Sequence, residues 1–215
     1  MKSTKKQKNY LLTPEDFLSR KERQMIMKVC AERSELDLMK GRITWPIRYM
    51  LIDLALYSGL RVAELAALKI GDVYCNGDDS HVIVRHGKGN RKRTVYIDQK
   101  LVKHLKEYIE YKKKTLKQSV EPDAPLLTGR DGQHSPPITL MKSFKIAVIA
   151  SGLRPSLHIH CTRHTYATYL LHDTGNLRYV QQQLGHSDIS MTALYADILP
   201  EENLRLANKI QRDDL

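Results

Sequence analysis

Several things are scarce in this 215-residue sequence, and each scarcity narrows what the protein can be. No apolar run approaches the length needed to cross a bilayer. The opening stretch, MKSTKKQKNY, is basic, but no apolar region stands behind it, so it does not read as a secretory signal. The three cysteines, Cys30, Cys75 and Cys161, are scattered and odd in number. That argues against a disulfide framework and fits a reducing compartment. There is no internal repeat. Acids are short too: 24 Asp and Glu stand against 35 Lys and Arg, a net charge of +11. A balance this basic at this size points toward nucleic acid as partner. Hydrophobic residues at 41% and charged residues at 27% are ordinary for a globular protein, and the length is enough for one sizeable domain or two small ones.

Residues 1–9 form a lysine-rich tail. LTPEDF carries Thr13 as a cap and Pro14 in a first turn, and predicts a helix from about Pro14 to Glu35 with Phe17, Met25, Ile26 and Val29 inward. Pro46 opens the next helix, where Ile47, Met50, Leu51 and Leu54 share a face, and Gly59 stops it. LRVAELAAL starts a third. DVYC, HVIVRH and RTVYI, separated by turns at NGDD and GKGNRK, read as a small antiparallel meander. Asp98 caps a helix with Leu101, Leu105, Tyr108 and Ile109 inward, and Lys112–Lys114 read as its solvated end. A loop with one short strand follows at EPDAPLLTGRDGQHSPP. Four or five helices complete the chain, broken near Gly152, Gly175, Gly185 and Pro200. The expected class is α+β, mostly helical, with a small three-stranded antiparallel sheet.

Three basic groups stand where helices begin. Arg61 follows Gly59. His160 opens a helix with Arg163 one turn on, and His186 precedes another. A helix start offers free N–H groups and partial positive charge, and adding arginine there makes a site for an anion, most naturally phosphate. Lys88 sits at a hairpin tip with glycine on both sides, which lets the loop approach a ligand. Around it, Arg85, Arg91, Lys92 and Arg93 read as contacts to a phosphate backbone or as plain surface. HIHCTRH offers His158, His160, Cys161 and His164 as metal ligands. No glutamate follows His160 to act as base, and Arg163 repels a cation, so no metal is expected.

Taken together, YSGLRVAELAALKIGDV, GKGNRKRTV, HCTRHTYATYLL and LGHSDISMTALYADI resemble, in order and near spacing, the catalytic domain of the tyrosine recombinase (phage integrase) family. The resemblance covers roughly residues 10–200, with the catalytic domain expected over 10–198. It implies that Arg61 is the first catalytic arginine, with Glu64 as supporting acid. It puts Lys88 on the β-hairpin lysine, His160 and Arg163 in the His-x-x-Arg box, His186 at the second histidine, and Tyr195, nine residues later, at the nucleophile.

The implied chemistry suits these residue types. Arg61, Arg163 and His186 would stabilise charge gathering on a phosphodiester. A tyrosine hydroxyl, ordinarily near pKa 10, needs a proton acceptor to attack at neutral pH, and His160 is the candidate. Lys88 would protonate the departing 5′-oxygen. The product is a 3′-phosphotyrosine link, which stores the bond energy, so neither cofactor nor metal is implied. The implied partner is double-stranded DNA, bound by a homo-tetramer on paired sites, in the cytoplasm at the nucleoid and not at a membrane. Only some 45 residues precede the core helix at Pro46, so the N-terminal core-binding domain typical of the family is expected to be missing. In the C-terminal stretch, residues 199–215, Leu204, Leu206, Ala207 and Ile210 suggest a short helix that docks on its own domain or on a neighbouring protomer. The alternatives are a catalytically idle DNA-binding regulator on the same fold, or a type IB topoisomerase.

Overall fold

A computed structural model describes residues 12–85, 92–186 and 188–195. The helices are α1 (Arg20–Met39), α2 (Thr44–Ser58), α3 (Val62–Ala67), α4 (Gln99–Lys114), α5 (Pro137–Ala150), α6 (Ile159–Thr174), α7 (Leu177–Leu184) and α8 (Ser190–Ala193). The strands β1 (Val73–Tyr74), β2 (His81–Val84) and β3 (Arg93–Tyr96) form one antiparallel sheet in the order β1-β2-β3. The α+β class expected from the sequence is the one observed.

Helix α2 is the centre. Met50, Leu51, Ile52, Leu54, Ala55 and Leu56 are all buried, so it is apolar nearly all round. A helix of that kind must be covered on several sides, and α1, α4, α5 and α6 pack on it. Across the sheet, Val82 pairs with Val95 and Val84 with Arg93. Val82, Val84 and Val95 face the core.

Three expectations need correction. The first predicted helix is two pieces: a 3-10 turn at Pro14–Asp16, then α1 from Arg20. Ser19 and Glu22 form a capping box that restarts the helix, and Phe17 and Leu18, between the pieces, are buried. Met25, expected inward, is 48% exposed. Lys112, expected in solvent, is buried: its Nζ donates to Gln118 Oε1 at 2.9 Å and Thr128 Oγ1 at 3.0 Å. Burial pushes its pKa down to about 8. Pro200 and the C-terminal stretch lie outside the described residues.

Candidate active site

Helix α2 ends at Gly59, whose φ of +62° is left-handed. A Cβ there would stand 2.3 Å from the Tyr166 ring, so only glycine fits. The turn delivers Arg61 to the N-cap of α3. Glu64, one turn on, answers with its carboxylate. It accepts the Arg61 backbone N–H and Nη1, both at 2.9 Å, and a two-pronged contact from Arg93 Nη1 and Nη2, both at 2.8 Å. Burial alone would raise the Glu64 pKa. The hydrogen bonds and charge of Arg93, then those of Arg61, outweigh it and hold the carboxyl at about 2.

Arg163, on α6, is 2% exposed. Its Nη1 donates to Gly59 O at 2.6 Å and its Nη2 to Leu184 O at 2.8 Å. Both acceptors are carbonyls at helix C-termini, which satisfies groups that a helix leaves open. These two bonds use two of the five N–H donors of the guanidinium. Burial, then the nearby charge of Arg61, presses its pKa to about 9, and it stays a cation at neutral pH.

Helix α7 stops at Gly185, again left-handed at φ +66°. His186 follows, with Nδ1 3.0 Å from Thr192 Oγ1 and its carbonyl accepting Gln181 Nε2. The His186 ring lies nearly parallel to Tyr195, 13° between planes and 6.4 Å between centroids. Tyr195 comes just after α8 and is 6% exposed, packed with Phe17, Ala167, Tyr169, Val180 and Leu184. Its hydroxyl is 3.0 Å from His164 Nδ1. His164 in turn meets the His160 ring edge to face at 4.7 Å. Partial burial, then Arg163 and His158, lower the His160 pKa. Burial, then His160, bring His164 to about 4.

Arg61, Glu64, His160, Arg163, His186 and Tyr195, spread over 135 positions of sequence, are thus drawn into one region. Lys88 and Arg91 lie outside the described residues. Arg85 is half exposed and hydrogen-bonds the buried Asp72, and Lys92 is exposed. Arg93 departs from its expected place on the surface. Its guanidinium is turned inward, 10% exposed, onto Glu64 and the Gln183 carbonyl. The sheet's parity explains this: Arg93 and Val95 are two apart on β3 and share the core-facing side. In HIHCTRH, His158 Nδ1 contacts the Cys161 sulfur and His164 contacts Tyr195. Among the described residues, no group of three or more His, Cys, Asp or Glu is arranged to hold a metal, and no helix is long and apolar enough to cross a membrane.

The sequence profile described as the phage integrase family matches residues 16–202. The chain belongs to that family. A tyrosine recombinase of Pseudothermotoga lettingae is 31% identical over 77% of this chain and 54% of its own length. The tyrosine recombinase XerD of Rhizobium meliloti is 33% identical over 71% of this chain and 48% of its own length. The chain spans about half the length of these curated relatives. Among solved structures, XerA recombinase superposes with a TM-score of 0.73 at 24% identity, over 91% of this chain and 66% of that one. XerH site-specific recombinase, in a post-cleavage complex with a palindromic difH substrate, gives 0.72 at 22% identity, over 94% and 54%. At these identities the structural likeness carries the phage integrase catalytic fold and nothing finer.

Proposed function

We propose that this chain acts as a site-specific DNA recombinase, breaking and rejoining duplex DNA through a 3′-phosphotyrosine link on Tyr195. The observation that carries the reading is the meeting of a buried tyrosine hydroxyl, two arginines and three histidines at one place, with Glu64 fixing the first arginine. In this scheme the unspent donors of Arg61 and Arg163, with His186, bind the non-bridging oxygens of the phosphodiester and stabilise charge as it builds there. An imidazole of α6 takes the Tyr195 proton, His160 being the candidate from the sequence. Lys88 protonates the 5′-oxygen as it leaves. Family membership supports the scheme, as do the relatives named as tyrosine recombinases. Double-stranded DNA is the proposed partner, gripped largely through phosphate by a chain of charge +11, so binding weakens steeply with salt. Four copies on two paired sites, in the cytoplasm at the nucleoid, complete the proposal.

The test is covalent capture. The protein is incubated with a library of nicked suicide duplexes of randomised sequence, and adducts are recovered under denaturing conditions. An adduct that disappears in Tyr195→Phe supports the reading. No adduct from the wild type with any DNA overturns it and favours the idle regulator. Relaxation of supercoiled plasmid irrespective of sequence favours a topoisomerase.

A further inference from the structure

We propose that His164, and not His160, is the group that holds the Tyr195 hydroxyl and receives its proton when the tyrosine attacks phosphorus. This inference rests on the recombinase reading above. The geometry is direct. His164 Nδ1 lies 3.0 Å from Tyr195 Oη, within the reach that general-base catalysis requires. The two rings are 5.9 Å apart between centroids. His160 meets His164 edge to face and shares one turn of α6 with Arg163.

The electrostatics fit a base that the substrate switches on. His164 is surrounded by His160, Arg163 and His158 from α6 and its N-cap, by Asp16 from the N-terminal turn, and by Tyr195. Burial comes first and His160 next in keeping it neutral, Asp16 opposes them, and Arg163 and His158 add to the lowering. A neutral ring with its proton on Nε2 presents a lone pair at Nδ1, so it accepts the tyrosine proton in a hydrogen bond. A phosphodiester bound between Arg61 and Arg163 brings a negative charge that offsets the charge of Arg163. The basicity of His164 therefore rises when the nucleophile must be activated. In the forward step the Oη–H bond breaks and its proton passes to Nδ1. The Oη–P bond forms, the P–O5′ bond breaks, and Lys88 gives a proton to O5′. In the return step the 5′-hydroxyl attacks phosphorus and its proton goes back to Lys88; the O5′–P bond forms, the Oη–P bond breaks, and Nδ1 returns its proton to Oη.

The experiment is single-turnover adduct formation by the full chain on a duplex recovered from the suicide library, for wild type, His164→Ala and His164→Gln. Both variants are expected to cleave about a hundredfold slower, with DNA affinity unchanged. Glutamine still offers a hydrogen-bond acceptor but cannot carry the proton. Imidazole in the buffer should restore His164→Ala and leave His164→Gln slow. Wild-type rate in either variant overturns the inference, as does a slow His164→Ala that imidazole does not change, which marks a structural role. A second readout needs no DNA: in nitrogen NMR of the histidine rings, Tyr195→Phe should shift His164 Nδ1, and an unmoved resonance refutes the hydrogen bond. Failure of the wild type to form any adduct overturns the recombinase reading itself, and the inference with it. An adduct formed equally fast without His164 overturns the inference alone.

Discussion

Replacing Glu64 by glutamine tests the site's electrostatic frame most directly. The side chain is 4% exposed and its carboxylate takes four hydrogen bonds, two from Arg93 and two from Arg61. Glutamine keeps the shape but loses the charge, and its amide N–H₂ would point at guanidinium donors. Two lines of reasoning give the cost. A carboxyl held at about 2 in place of the ordinary 4.5 favours the ionised folded state by about 3 kcal/mol at neutral pH. Removing one partner of a buried ion pair costs roughly 3–5 kcal/mol, because the other is left uncompensated. Arg61 is 24% exposed and can turn toward water, which moves the expectation to the lower end, about 3 kcal/mol. Urea denaturation at pH 7.5 measures it. The sign with pH is fixed: the folded pKa is depressed, so the contribution is complete above 4.5 and fades as pH falls toward 2. The gap between wild type and Glu64→Gln should therefore begin to close below about pH 4.5. A gap under about 1 kcal/mol, or one that stays constant down to pH 3, refutes the reasoning.

Three further outcomes are expected. His164 is held at about 4 when folded and returns to about 6.5 when unfolded, so the unfolded chain binds the extra proton; stability should drop by about 2 kcal/mol between pH 7 and 5, and His164→Gln should flatten that slope, an unchanged slope counting against it. Lys112→Met should stabilise the protein at pH 7 by about 1–3 kcal/mol, since among the described residues no carboxylate bonds Nζ, and Gln118 and Thr128 keep their own bond at 2.6 Å; a lower urea midpoint refutes this. Gly185→Ala combines a left-handed φ with a Cβ 2.7 Å from Arg93 Cδ, so it should cost about 1–2 kcal/mol and also slow adduct formation by displacing Arg93 from Glu64; unchanged adduct formation would show that Arg93 need not stay there.

How far the sequence discloses the structure depends on the kind of signal. Helix stops are local, and Gly59, Gly175 and Gly185 each take the left-handed C-cap their sequence positions suggest. The burial of Met50, Leu51 and Leu54 follows from their apolar spacing, whereas the covering of α2 on its other sides does not. The split of the first helix was also written locally, in the Ser19–Glu22 box, but a longer periodic pattern from Pro14 overrode it. Arg93 was readable by parity, because Val95 marks the inner side of β3 and Arg93 is two residues before it. A basic cluster at a hairpin tip obscures that parity when residues are judged by charge alone. Lys112 carried no such mark: a KKK run at a helix end says nothing about which lysine the following loop will cover. Nor did His164, whose partner Tyr195 is 31 residues away and is found only when the chain folds.

The position of Arg163 changes how any substitution there must be interpreted. Its guanidinium bridges Gly59 O and Leu184 O, the ends of α2 and α7. Arg61 comes two residues after the first carbonyl and His186 two residues after the second. One side chain therefore sets the separation of two groups proposed to hold the same phosphate, besides offering its own donors to it. Loss of cleavage in Arg163→Ala consequently reports both the missing contact and the slackened spacing of Arg61 and His186, which are not additive contributions. Tyr195 is held in a comparable way. Its ring is fixed by Phe17, Tyr169 and Val180, and its hydroxyl by His164. A nucleophile with few accessible rotations arrives at phosphorus with little orientational entropy left to lose. If Tyr195 is the nucleophile proposed above, a substitution that loosens this cluster, such as Val180→Ala, should slow adduct formation by spoiling its aim.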